Sequence, residues 1–353
     1  MSTIRVLVVD DSAFMRKAIS MMLGDDPEID VVGTARDGID AIEKVKLLHP
    51  DLMTLDVEMP RMDGITALKK IMRENPLPVL MVSSLTVEGA RATIDALSAG
   101  AVDFIPKQLS YVSLDITKIK GELISKVKAI TRSRFGQFST HLTNRISNFP
   151  RPSQLKTSGT QIVTIGISTG GPFSLQKVIP SLPVDFPVPV AIVQHMPPQF
   201  TKSLAERLDS ISRLEVCEAE DGMNLSSGKV YIAPGGLHMK FTRTGGLPKI
   251  VISKDPGDTL HRPSVDVMFS SANEVFGGRV LAAVMTGMGH DGLEGARLIK
   301  ESGGRIIAQD EETSVVYGMP KSIVDAELAD AVLPLDEIAS ALTSALMPAV
   351  PVH

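Results

Sequence analysis

Leu7-Val8-Val9-Asp10-Asp11, Thr54-Leu55-Asp56 and Phe104-Ile105-Pro106-Lys107 are three apolar runs, and each ends in an acid or a lysine. In a domain that alternates strand and helix, the carboxyl ends of successive parallel strands converge on one edge of the sheet, where ligands bind. Asp10, Asp11, Asp56 and Lys107 are thereby expected to meet in space. Clustered carboxylates repel one another, so such a site invites a hard divalent cation with oxygen ligands. A lysine beside it holds a phosphoryl oxygen as a point charge. The pattern is that of a phosphorylation pocket, with Asp56 as the best nucleophile and Ser83, ending the fourth strand, as a nearby hydroxyl. Any one strand-end acid alone reads as a solvated helix cap. Three such acids together with Lys107 in one five-unit domain read as a site.

Around these runs, strands are expected at Ile4–Val9, Ile29–Thr34, Leu52–Leu55, Val79–Val82 and Asp103–Ile105. Helical patterns alternate with them and end near Thr131, which makes a parallel sheet covered on both faces. From Ser133 to Thr160 the chain is rich in Ser, Thr, Asn, Arg and Pro without a sustained apolar period, the composition of a linker. A second α/β pattern begins at Gln161, with strands at Ile162–Ile167, Val188–Gln194, Val280–Met285, Arg305–Gln309 and Ala331–Leu333. Lys229–Ile232, Met239–Thr242 and Lys249–Ser253 read as a small antiparallel insertion with a Gly245-Gly246 turn. The expected organisation is a (βα)5 domain over 1–125, a linker over 126–160 and a second, Rossmann-like α/β parallel-sheet domain over 161–347.

The 353 residues suffice for two cores. A net charge of -5 gives no support to a nucleic-acid partner. Cys217 is the only cysteine, which excludes an intrachain disulfide and a multi-cysteine metal site. No apolar stretch reaches membrane-spanning length, and a strand-like run opens the chain without a charged leader, so a cytoplasmic protein without membrane insertion is expected.

In the second half, Gly166-Ile167-Ser168-Thr169-Gly170-Gly171 follows an apolar strand and precedes a helical pattern. It fits a nucleophile elbow, a phosphate-cradling loop and a plain glycine turn. His195 directly follows the strand ending at Gln194, and Asp291 lies just past the strand ending at Met285, in Thr286-Gly287-Met288-Gly289-His290-Asp291-Gly292. A serine, a histidine and an aspartate beyond three strand ends form a nucleophile, its base and the group that orients the base. The glycine-rich turn around Met288 offers backbone N–H groups to an oxyanion. The chain order Ser…His…Asp differs from that of α/β-hydrolases. His290 also fits as base by pattern, but an adjacent His–Asp pair forms the orienting hydrogen bond poorly, which favours His195. His238 and His261 also fit as base, but they read first as polar residues of a loop and a helix start. No histidine pair stands four apart on a helix, which weighs against zinc.

Residues 1 to about 125 resemble a response-regulator receiver domain through Asp10-Asp11, Asp56-Val57-Glu58-Met59-Pro60, Asp63-Gly64, Ser83-Ser84 and Phe104–Lys107. The resemblance implies that Asp56 accepts the phosphoryl group, and that Asp11, Asp56 and the backbone carbonyl of Glu58, with Asp10 alongside, hold Mg²⁺. It makes Ser83, Phe104 and Lys107 the switch residues. Many receivers place proline after the lysine. Here Pro106 precedes Lys107 and Gln108 follows it, which bears on the family's cis-peptide and leaves the lysine's role intact.

Residues 160–347 resemble the catalytic domain of the chemotaxis protein-glutamate methylesterase (CheB) family. The shared stretches are Gly166–Gly171, Gln194-His195-Met196-Pro197, Ala233-Pro234-Gly235-Gly236, His261-Arg262-Pro263-Ser264-Val265-Asp266 and Thr286–Gly292. That resemblance implies Ser168 as nucleophile, His195 as base, Asp291 as orienter, and Thr169 and the Met288 amide at the oxyanion. It gives His290 no chemical role. It further implies glutamyl methyl esters of chemoreceptors as substrate, deamidation of receptor glutamines, a histidine kinase as phosphodonor and no cofactor for ester hydrolysis. The competing expectations are a response regulator with a non-catalytic binding output, such as a DNA-binding domain, and a nucleotide-binding domain using the glycine turn. Nothing resembles a helix-turn-helix, and no acidic ribose ligand follows the next strand.

Overall fold

In the computed structural model the described residues are 3–107, 114–132 and 159–347. The chain forms two compact units, one on each side of residues 133–158. The first contains β1 (Ile4–Val9), α1 (Ala13–Gly24), β2 (Ile29–Ala35), α2 (Gly38–Leu48), β3 (Leu52–Asp56), α3 (Gly64–Glu74), β4 (Val79–Ser83), α4 (Val87–Ser98), β5 (Asp103–Pro106) and α5 (Leu114–Arg132). Its strands pair in parallel in the order β2-β1-β3-β4-β5. Val6–Val9 and Val79–Met81 are almost fully buried, as expected for a parallel sheet covered on both faces. The strand order reverses between β1 and β3, which puts the ends of those strands, Asp10 and Asp56, beside the crevice where such sheets bind ligands.

Local chemistry sets the helix starts around that edge. The carboxylate of Asp37 accepts from the N–H groups of Ile39 and Asp40 and caps α2, and Asp63 caps α3 by accepting from Thr66 N–H. Gly64 must lack a side chain, since a Cβ there would lie 1.9 Å from the Asp56 carbonyl oxygen. The absence of a Cβ lets the start of α3 press against the end of β3.

The second unit has a seven-stranded parallel sheet. In chain order its strands are β6 (Ile162–Ile167), β7 (Val190–Gln194), β8 (Glu215–Glu218), β9 (Lys229–Ile232), β12 (Val280–Val284), β13 (Arg305–Gln309) and β14 (Ala331–Leu333). Across the sheet the order is β14-β13-β12-β6-β7-β9-β8. A separate hairpin joins β10 (His238–Thr244) to β11 (Leu247–Ser253) through Gly245 and Gly246. The helices are α6 (Gly171–Val178), α7 (Phe200–Ile211), α8 (Val265–Phe276), α9 (Leu293–Glu301), α10 (Met319–Asp325) and α11 (Leu335–Leu346).

One strand assignment corrects the sequence expectation. Lys229–Ile232 belongs to the main sheet, parallel to both β7 and β8, and among the named strands the hairpin of β10 and β11 is the antiparallel pair. A four-residue run carries no directional signal, and its partner β8 reads Glu-Val-Cys-Glu, with only Val216 buried. The hairpin packs on α8, where Ser271 Oγ is 2.7 Å from Phe241 N and 3.2 Å from Phe241 O. The helix is thus sandwiched between the hairpin and the sheet, with Val265, Met268, Phe269 and Ala272 fully buried. Among the described residues, no helix is long and apolar enough to cross a membrane.

Candidate active site and phosphorylation pocket

The strands that precede Ser168, His195 and Asp291 are β6, β7 and β12, and in the sheet they lie side by side as β12-β6-β7. Because β6 is the strand from which the chain departs in both directions, this is the switch point of the second sheet. Residues 27 and 96 positions apart in sequence order therefore end on one edge through strand pairing alone, with Gly166 opposite both Val284 and Val193.

Backbone bonds fix the ends of these strands. Ser168 N–H donates to Thr286 O at 3.0 Å, and His195 N–H donates to Ile167 O at 3.2 Å. The buried side chain of Gln194 reaches across, its Nε2 donating to Ser168 O at 2.9 Å and to His195 O at 3.2 Å. One amide thus clasps the two residues that the sequence singled out as nucleophile and base. Gly170 follows in the left-handed region, at φ 77°, where glycine is favoured, and hands the chain to α6.

His195 Nε2 lies 2.7 Å from Asp291 Oδ2. The other ring nitrogen, Nδ1, is buried and has no hydrogen-bond partner among the described residues. Asp291 also accepts from Val265 N–H at 2.7 Å, Asp266 N–H at 3.0 Å and Ser264 Oγ–H at 2.9 Å. It sits at the positive N-terminal end of α8, where N–H groups and the helix dipole favour an anion. Burial pushes its carboxyl up, but His195 and the backbone donors outweigh burial and hold it well below the usual carboxylate range. Asp266, facing Asp291, is raised by burial, with the Asp291 charge adding to the shift.

The Met288 loop is tied to the serine turn through Thr286. Its Oγ1 donates to Thr169 O at 2.9 Å and accepts from Val316 N–H at 3.0 Å, while its own N–H donates to Gln309 Oε1 at 2.9 Å. Thr169 is buried and Met288 exposed. Neither backbone N–H donates to another backbone group among the described residues. His290 is exposed. His261, which sequence reasoning set aside, stacks on His195 with ring centroids 4.2 Å apart and planes 16° apart. Ser264 and Gln194 were not singled out either. Their signal was positional only: one precedes α8, and the other directly precedes the base.

In the first unit, carboxylate oxygens of Asp10, Asp11 and Asp56 all lie within 4.8 Å of one another. Lys107 Nζ is 2.9 Å from Asp10 Oδ2 and 2.7 Å from Asp56 Oδ2. Burial raises Asp56 to about 6, against the opposing pull of Lys107. Lys107 is itself held above its usual range, its two carboxylates outweighing desolvation. Three converging acids balanced by one lysine are the donor set of a hard cation, so the residues present fit Mg²⁺. A cavity of about 150 Å³ at this edge is lined by Asp11, Asp56, Val57, Glu58, Ser84 and Lys107. Ser83 is buried instead, its Oγ accepting from Thr93 Oγ1 at 2.6 Å and donating to Gly89 O at 3.2 Å in α4. Phe104 is buried in β5, with Lys126 Nζ 5.7 Å from its ring centre. Gln108, on which the expectation about the lysine's following peptide falls, lies outside the described residues.

A phosphoacceptor-type sheet joined to an α/β unit with a Ser–His–Asp edge has the organisation of a regulated hydrolase. Residues 163–342 match the CheB methylesterase family and residues 6–116 the response regulator receiver domain. A relative from Oleidesulfovibrio alaskensis named protein-glutamate methylesterase/protein-glutamine glutaminase 1 is 50% identical, over 97% of this chain and 99% of its own. One from Pyrococcus abyssi, named protein-glutamate methylesterase/protein-glutamine glutaminase, is 47% identical over 97% of this chain and 94% of its own. The solved CheB methylesterase catalytic domain of Thermotoga maritima is 49% identical with a TM-score of 0.51, and the match covers 52% of this chain and 97% of that one. The chain belongs to the CheB methylesterase family and carries the receiver domain at its N-terminal side.

Proposed function

We propose that this protein is a phosphorylation-gated serine esterase of chemotaxis adaptation, removing methyl groups from glutamyl γ-methyl esters of chemoreceptors. The supporting observation is the His195–Asp291 pair with its second ring nitrogen, Nδ1, buried and unpartnered at the edge where Ser168 ends its strand. In this reading Ser168 Oγ attacks the ester carbonyl while His195 Nδ1 takes its proton. The N–H groups of Thr169 and Met288 hold the developing oxyanion. His195 returns the proton to the departing methoxide, and methanol leaves. Water, activated by the same imidazole, then hydrolyses the acyl-enzyme to the receptor carboxylate. A primary amide passes through the same steps with ammonia as leaving group, which makes receptor glutamines a second substrate. Side chains and backbone carry the whole ester step.

The first unit is the input and the unit within 161–347 the catalytic one; the expected receiver end at 125 is moved outward by α5, which runs to Arg132 with Val127 and Ile130 buried, so the connection begins only after that helix. Asp56 accepts the phosphoryl group from a chemotaxis histidine kinase, and Lys107 holds a phosphoryl oxygen. Asp10, Asp11, Asp56 and the Glu58 carbonyl would hold Mg²⁺, which when bound neutralises charge on the transferring phosphoryl group. Ser83 and Phe104 respond to the modified Asp56, and phosphorylation biases a two-state equilibrium between less and more active forms. The chemistry uses no nucleic acid and no membrane insertion, consistent with a cytoplasmic enzyme.

The test is methanol release from methylated receptor membranes, with and without a small acyl phosphate, comparing wild type, Asp56→Ala and Ser168→Ala. Ser168→Ala should lose turnover, and Asp56→Ala should lose stimulation. Full activity in Ser168→Ala refutes the mechanism, and equal stimulation of Asp56→Ala refutes gating through Asp56.

A further inference from the structure

None of the steps above uses His261, yet its ring covers the face of His195 at 4.2 Å between centroids and 16° between planes. The hydrogen bond from Nε2 to Asp291 fixes one edge of the His195 ring but leaves it able to rock about its Cβ–Cγ bond, a broad torsion for imidazoles. A flat group against one face removes that freedom. Burial first, and the neighbouring His195 second, lower His261 to about 4. At neutral pH it is therefore an uncharged ring that can stack without repulsion.

The segment that delivers this ring also holds the acid. From His261 to Asp266 it supplies the stacking imidazole and three donors to Asp291, namely Ser264 Oγ–H, Val265 N–H and Asp266 N–H. The segment is anchored from behind by His238, which is fully buried. Its Nδ1 accepts from Ser264 N–H at 3.2 Å, and its Nε2 lies 3.1 Å from Pro256 O. One short run of chain thus grips the base by its face and the carboxylate by its oxygens.

We infer that His261 is a positioning residue for hydrolysis: its ring holds the His195 imidazole in the plane where Nε2 meets Asp291 and Nδ1 is left for the serine proton. The inference rests on the esterase reading. The stacked face does the positioning, and the ring nitrogens of His261 take no part. A phenyl ring should therefore replace it and a methyl group should not.

The experiment compares full-length wild type, His261→Ala and His261→Phe, activated with a small acyl phosphate and assayed for methanol release from methylated receptor membranes. His261→Ala should lose up to about 100-fold in kcat, the scale of a small misplacement of a catalytic group. KM should stay within about twofold, because ground-state binding is untouched. His261→Phe should recover most of the lost kcat. An unchanged kcat in His261→Ala, a loss confined to KM, or a His261→Phe variant as poor as His261→Ala would each overturn the inference. ¹⁵N-histidine NMR provides a measure independent of turnover. His195 should give one Nε2-protonated signal in wild type and His261→Phe, and a broadened or mixed one in His261→Ala. An unchanged signal in His261→Ala refutes positioning by the stack even if the esterase reading stands. If Ser168→Ala releases methanol as wild type does, the esterase reading fails while the NMR comparison still decides the role of the stack.

Discussion

His195 meets Asp291 through Nε2, at 2.7 Å, and not through the nitrogen nearer its backbone. In the familiar Ser-His-Asp arrangement the acid binds Nδ1 and the serine faces Nε2. Here the acid takes Nε2 and leaves Nδ1 buried without a partner among the described residues, so in the proposed mechanism the two nitrogens exchange roles.

That contact gives the first prediction. Asp291→Asn keeps the shape but presents an amide that can stabilise the wrong tautomer. Turnover in methanol release should fall about 10³- to 10⁴-fold with the fold intact. A loss of less than tenfold would show that His195 does not depend on this partner.

The second concerns pH. Burial raises Asp56 to about 6, whereas an unfolded aspartate titrates near 4. Between about pH 4 and 6 the folded receiver binds more protons than the unfolded chain, so its stability falls as pH rises through that window. Asp56→Asn removes the buried charge. The variant should melt higher than wild type at about pH 7.5, by the equivalent of up to about 3 kcal/mol. The difference should fade below about pH 4. Equal melting at the higher pH would contradict the burial argument.

Cation binding supplies the third. Mg²⁺ bound among Asp10, Asp11 and Asp56 stabilises the folded receiver by mass action, by about 2.7 kcal/mol at a hundred times its dissociation constant. Thermal scans should show the rise in wild type and its loss in Asp11→Ala. Asp11 is the exposed member of the three, so its removal leaves the buried Lys107 pairing in place.

The fourth tests the clamp under the Met288 loop. Thr286→Val keeps the side-chain shape but strands Val316 N–H and leaves Thr169 O without its donor. Stability should drop by about 1–3 kcal/mol, the cost of unpaired buried groups. In urea-titrated samples still fully folded, turnover should drop with it. Unaltered turnover would separate the clamp from the amides of Thr169 and Met288.

Much of this is legible in the sequence. Apolar runs ending in Asp10, Asp56, Lys107, Gln194 and Met285 mark parallel strands because both faces of such strands are buried, and their last residues must then face the reactive edge. What stayed hidden depends on tertiary approach. The stacking of His261 joins a loop to a strand end 66 residues away in sequence, and nothing in its neighbours announces that. Ser264 reads as an ordinary helix cap for α8, donating no hint that its hydroxyl also serves Asp291. The place of β9 in the main sheet depends on β8, whose alternation of Glu, Val, Cys and Glu is too short and too polar to read as a strand.

The hairpin of β10 and β11 also offers an engineering seam. Among the described residues it pairs with no strand of the seven-stranded sheet, and it grips α8 at mid-length through Phe241 and Ser271. Its tip is an exposed Gly245-Gly246 turn, both residues at positive φ. Exposed tips of small residues are where chains accept insertions. A reporter domain spliced between those glycines would ride outside the ladder, leaving the reaction edge free to work while carrying a passenger.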